Sequence, residues 1–93
     1  MRPETLYLAF AFDGQNLIVG PMCERPNLAY TWLADKYPQY PVREFRLHTL
    51  TMLVVEIKQW LIKEPINGKI IKDVLRETLS EVWQNLPKYW TFQ

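Results

Sequence analysis

The sequence predicts an α+β fold in which a small antiparallel sheet is packed on one face by three helices, in the order ββαβαα. An alternating apolar stretch followed by Asp-Gly indicates a β-hairpin over residues 6–22. Apolar residues three and four positions apart indicate helices over residues 50–63 and 69–86. Prolines at positions 26, 38, 65 and 87 separate the helices from their neighbours.

The first strand is expected over residues 6–12, because large and small side chains alternate there. Leucine and phenylalanine occupy one face, whereas Tyr7 and two alanines occupy the other. The large side chains should contact the main core, and the small ones should accept a close-packed neighbour or a thin cover. Asp13-Gly14 predicts a tight turn with positive φ at both central positions. The returning strand then covers residues 17 to about 22.

A first helix is expected to begin at Asn27, whose side chain can cap it, and to end before the next proline. Leu28, Trp32 and Leu33 lie on its expected core face. Residues 42–49 alternate between apolar and polar side chains, which predicts a third strand. The same residues also match helical spacing, so one helix over residues 41–63 is the alternative.

The second helix, over residues 50–63, has an apolar stripe that is wider than one core contact requires. Val55, Trp60 and Ile62 widen it, so this helix is expected to be central or shared with a partner. The last helix, over residues 69–86, carries a sustained apolar seam opposite charged side chains. We expect these two helices to form an antiparallel pair.

The composition limits the classes of protein to which this chain can belong. The 93 residues have a net charge of +1 with the two signs interspersed, which excludes a polybasic tail, and their apolar content excludes disorder. Cys23 is the only cysteine and cannot form an internal disulfide. No signal peptide is recognised, and no apolar run approaches the roughly 20 residues that span a bilayer. We therefore expect one compact cytoplasmic domain over residues 1–93, without membrane contact.

Few side chains are suited to catalysis or metal binding. A Cys23–His48 dyad has no supporting sequence context, and one cysteine with one histidine is too few for a zinc site. The glycines match no nucleotide-binding fingerprint. Asp73, Glu77 and Glu81 form an acidic row, but basic neighbours favour a salt-bridged solvent face. We predict no catalytic residue, metal, cofactor or small-molecule substrate.

Aromatic residues make up 14% of the chain, more than the expected core positions account for. Tryptophan and tyrosine are enriched at the energetic centres of interfaces. Five aromatic residues at helix-stripe margins or in the C-terminal tail are therefore assigned to a partner-binding surface: Trp60, Trp83, Tyr89, Trp90 and Phe92. The alternative is a tail that folds back onto the core. We expect a non-enzymatic adaptor, assembly subunit or inhibitor that binds another protein or a second copy of itself.

A DNA-binding regulator of the helix-turn-helix type is the alternative function. Lys69, Lys72 and Arg76 project from the first turns of the last helix, which follows another helix across a short turn. Such side chains could contact phosphates and base edges. Asp73 and Glu77 directly follow Lys72 and Arg76 and would repel the DNA backbone, and the net charge near zero also opposes this interpretation.

Overall fold

The computed structural model describes residues 5–64 and 68–86, with the backbone alone for residues 68–70. The elements are β1 (Leu6–Phe12), β2 (Leu17–Val19), α1 (Leu28–Lys36), β3 (Val42–Leu47), α2 (Leu50–Ile62) and α3 (Gly68–Asn85). The α+β class and the order ββαβαα are as predicted. Residues 42–47 form a strand, which excludes the alternative of one long helix.

The sheet has the strand order β2-β1-β3, and β1 is antiparallel to both neighbours. The hairpin between β1 and β2 is present, but its loop spans residues 13–16. Asp13 Oδ1 accepts hydrogen bonds from the backbone N–H groups of Gln15 (2.8 Å) and Asn16 (2.7 Å). Of these four residues, Gly14 alone has positive φ, 98°. The expectation of positive φ at both central positions of the turn is therefore wrong, and the Asp13 carboxylate closes the loop by accepting these hydrogen bonds.

A β-bulge interrupts the returning strand. In the register of β2, Tyr7 would face Met22, but it faces Cys23. Tyr7 and Cys23 exchange backbone hydrogen bonds of 2.7 and 3.0 Å. The returning strand therefore contains one extra residue near Gly20 and Pro21. This is why regular pairing in β2 ends earlier than predicted.

The two faces of β1 belong to two separate apolar clusters. On the face that carries the leucines and phenylalanines of β1, which we call the large face, these side chains pack with buried residues of β3, α2 and α3. On the small face, Ala9 and Ala11 pack with Ala29 and Leu33 of α1. The prediction that all three helices share one face is therefore wrong for α1. The segment from β2 to β3 must cross β1, and the alanines leave room for a helix there.

Helices α1 and α2 begin in different ways. The side chain of Asn27 makes no capping hydrogen bond, contrary to the prediction, and its φ is 70°. Its backbone N–H donates to both carboxylate oxygens of Glu44 in β3, at 2.9 and 3.1 Å. By contrast, Thr49 Oγ1 accepts from the Met52 N–H at 3.1 Å, a local N-cap. The start of α1 is thus attached to the sheet, whereas α2 caps itself.

Candidate interaction surface

Trp60 is a core residue. It is 5% exposed, and its ring centroid lies 6.4 Å from that of Phe12 and 6.0 Å from that of Phe45. The prediction that Trp60 lies outside the core, on a partner-binding surface, is therefore wrong. The large face of the sheet extends over β3, so a residue at the margin of the α2 stripe still meets aromatic side chains of the sheet.

Trp32 shows the opposite error. It was expected in the core, but it is 47% exposed, with Lys36 Nζ 4.7 Å from its ring centroid. Leu28, which shares the expected core face, is also exposed, at 55%. Ala29 and Leu33 are the α1 residues that are buried against the small face. A helix turns about 100° per residue, so the position before Leu33 is directed away from that contact.

Trp83 lies at the surface, as predicted, and is 51% exposed. It borders a cavity of about 400 Å³ between the start of α2 and the end of α3. Leu47, Leu50 and Leu86 give this cavity apolar walls. Its polar lining comes from His48, Thr49 and Thr51. The other predicted aromatic residues, Tyr89, Trp90 and Phe92, lie outside the described residues.

Helix α2 exposes apolar side chains on the side opposite its core contacts. Met52 is 47% exposed, Val55 42% and Ile62 70%. They are spaced three and seven positions apart, so they follow one line along the helix. We call these three residues the outer seam of α2. The wide stripe in the sequence indicated Val55 and Ile62, but Met52 was missed, although its position one turn before Val55 was a usable signal.

The basic residues of the alternative function lie on α3. Lys72 and Arg76 are exposed, and so are Asp73 and Glu77, each of which directly follows one of them. The side chain of Lys69 lies outside the described residues. The exposed surface of this part of α3 therefore alternates in charge, which does not concentrate positive potential for a phosphate backbone.

Cys23 and His48, the two side chains considered for catalysis, are not brought together. Cys23 pairs with β1 from the β2 side, whereas His48 follows β3 on the other side of β1. The Cys23 thiol donates to the Pro21 carbonyl at 3.8 Å. Within residues 5–64 and 68–86, no group of three or more histidine, cysteine, aspartate or glutamate side chains is placed to hold a metal ion.

In the described part of the chain, no helix combines the length and the hydropathy that are needed to cross a bilayer. The outer seam of α2 and the cavity beside Trp83 are two surfaces available for the predicted docking, and exposed apolar side chains also lie on α1, at Leu28, Tyr30 and Trp32. No family model, curated protein or solved structure matches this chain.

Proposed function

We propose that the protein is a small non-enzymatic binding module that docks a helix of another protein against the outer seam of α2. The observation that carries this proposal is the exposure of Met52, Val55 and Ile62 on the side of α2 opposite its buried residues. A surface helix ordinarily turns polar side chains outward. These three side chains do not contribute to the core, so a second role explains their chemistry.

The spacing of the seam suits a helical partner. Positions separated by three and seven residues repeat along one face of a helix as the contact positions of a coiled coil do. Gln59 occupies the remaining contact position between Val55 and Ile62 and is exposed. A polar residue within such a seam selects register at some cost in stability. Full burial of an exposed apolar side chain contributes about 1.5–3 kcal/mol, and these side chains would contribute correspondingly less, before the costs of association, because each is already partly buried.

The cavity beside Trp83 extends this surface. Thr51 lines the cavity and directly precedes Met52, so the cavity adjoins the first turn of the seam. A half-exposed tryptophan beside an apolar cavity has the size and rigidity of an interface anchor. We infer that a bulky apolar side chain of the partner enters the cavity while its helix lies along the seam.

Capture from the native cells tests this proposal. The tagged protein is compared with a seam variant, Val55→Lys/Ile62→Lys, and with a matched control, Ser80→Lys/Gln84→Lys. The control adds the same charge at exposed positions of α3. We expect a stoichiometric protein partner that survives nuclease and is retained by the control. The seam variant should recover about tenfold less of it, because ammonium groups would be buried in an apolar contact.

Two results would contradict the proposal. Equal recovery by the seam variant and the wild type would show that the seam does not dock the partner. Loss of all partners after nuclease would favour the DNA-binding alternative. In that case, replacing Lys72 and Arg76 with alanine should weaken nucleic-acid binding and reduce its salt dependence.

A further inference from the structure

The outer edge of β3 has unused backbone hydrogen-bonding groups. The Phe12 N–H donates to the Pro41 carbonyl at 3.0 Å, which fixes the alternation of hydrogen-bonded pairs between β1 and β3. The backbone groups of Val42, Glu44 and Arg46 therefore point away from β1. Among the described residues, none forms a backbone hydrogen bond with these groups. β3 is thus an open edge strand.

The opposite edge of the sheet is closed by contrast. β2 has only three residues, and the bulge near Gly20 and Pro21 follows it. Helix α3 also packs against β2. Short strands, bulges and covering helices are the usual means of blocking strand addition. β3 has six residues and an uninterrupted register to β1, so it is neither short nor bulged, although α1 and α2 pack against it as α3 packs against β2.

A groove of about 440 Å³ lies beside the start of β3. Val42 contributes to its lining. On one side lie Tyr30 of α1 and Tyr37, the residue that follows α1. On the other side lie Trp60 of α2 and Glu64, which comes shortly after α2. The two helical layers therefore leave a gap at this edge. This space lies beside the first residues of β3, Val42 and Arg43.

The charges on β3 favour pairing of this edge with β3 of a second copy of the chain. Directly opposed residues of antiparallel strands share a face, and opposite charges at such pairs stabilise the sheet. If two β3 strands pair so that Glu44 faces Arg46 of the other copy, the two-fold axis creates this ion pair twice. A register that places Glu44 opposite itself would instead oppose like charges. In the favoured register Phe45 faces Phe45 of the other copy, an aromatic cross-strand pair.

We propose that two copies of this chain pair through β3 in that register and form one continuous sheet. This interface is separate from the outer seam of α2, so the proposal does not rest on the proposed function. Each Glu44–Arg46 pair would exchange backbone N–H···O bonds as well as opposite charges. Glu44 would keep its hydrogen bond from the Asn27 N–H, since a carboxylate has acceptor sites for both partners.

Sedimentation equilibrium of two charge variants tests the proposal. We expect the wild type to be a dimer, and we expect Glu44→Arg and Arg46→Glu each to raise the dissociation constant about tenfold or more. An equimolar mixture of the two variants should form a heterodimer with near wild-type affinity, because each Glu44–Arg46 contact again joins opposite charges. Arg76→Glu on α3 is the matched control and should leave the dimer unchanged.

Three results would overturn this interface. One is a wild-type chain that stays monomeric up to about 1 mM. The arginines of β3 would then serve to prevent the addition of another strand at this edge. Another is a dimer that Arg46→Glu does not weaken. The last is a mixture that shows no preference for the heterodimer.

Two further variants keep the test decisive. If Glu44→Arg does not fold, Arg46→Pro removes one outward N–H without touching the bonds to β1 and should also give a monomer. Val55→Lys/Ile62→Lys should leave the β3 dimer intact. Dissociation of the dimer by that seam variant, but not by Arg46→Glu, would place self-association on α2 and contradict the β3 interface.

Discussion

The large and small faces of β1 bind their helices in different ways. On the large face, aromatic rings from different elements meet, with 5.9 Å between the centroids of Phe10 and Phe45 and 6.4 Å between those of Phe12 and Trp60. On the small face, alanines of β1 lie against Ala29 and Leu33 of α1. The large face is filled by bulky side chains. The small face lets α1 pack closely, because its β1 side chains are only alanine methyl groups.

This difference determines which substitutions each face tolerates. Removing volume from the large face leaves a cavity, and the cost increases with the size of that cavity. Adding volume to the small face forces α1 away from the sheet or strains a side chain. The two faces should therefore respond oppositely to truncation and to enlargement.

The largest expected effect is the difference in stability between alanine variants of the two tryptophans whose positions differ from the prediction. Trp60→Ala should lower the free energy of unfolding by about 3–5 kcal/mol, because it removes a buried ring from the large face. Trp32→Ala should cost about 1 kcal/mol or less, since half of that ring is exposed. Urea denaturation of both variants measures the contrast. Equal losses would refute the assignment of Trp60 to the core.

An intermediate effect is expected at the small face. A Cβ atom at position 20 would lie 2.8 Å from Leu33 Cδ1 and 3.2 Å from the Ala9 carbonyl oxygen. Gly20→Ala should therefore destabilise the fold by about 1–3 kcal/mol through overpacking. In a Leu33→Ala background the same substitution should cost clearly less, because only the close contact with the Ala9 carbonyl oxygen remains. A double-mutant cycle by thermal or urea denaturation measures this coupling, and simple additivity would show that α1 is not in close contact with Gly20.

The smallest expected effects concern the starts of the helices on each face. Thr49→Ala should cost about 1 kcal/mol by removing the cap of α2. Glu44→Gln should cost about 0.5–1 kcal/mol, because the acceptor of the Asn27 N–H loses its charge. Hydrogen exchange in dilute solution separates the two variants. Thr49→Ala should expose the first amides of α2 alone, whereas Glu44→Gln should expose those of α1 alone.

The docking surface was only partly predictable. In the sequence, Val55 and Ile62 widen the apolar stripe of α2 beyond what one core contact requires. Both residues are exposed. Trp60 has the same appearance in the sequence but is buried. A helical projection places residues on a helix, but it does not show how far the neighbouring sheet extends beneath them. The free edge of β3 could not be predicted, because strand order depends on pairings that are remote in sequence.

The sequence by itself determined the local elements and the two unequal faces of β1, because side-chain alternation and helical spacing are encoded between near neighbours. It also determined that a hairpin follows Phe12, since Asp13 can accept hydrogen bonds within its own loop. Tertiary structure alone decided that α1 covers the alanines, that Glu44 holds the start of that helix, and that Trp60 and not Trp32 is buried. Each of these outcomes depends on which distant surfaces meet, and the size of the space between two elements is a property of their packing.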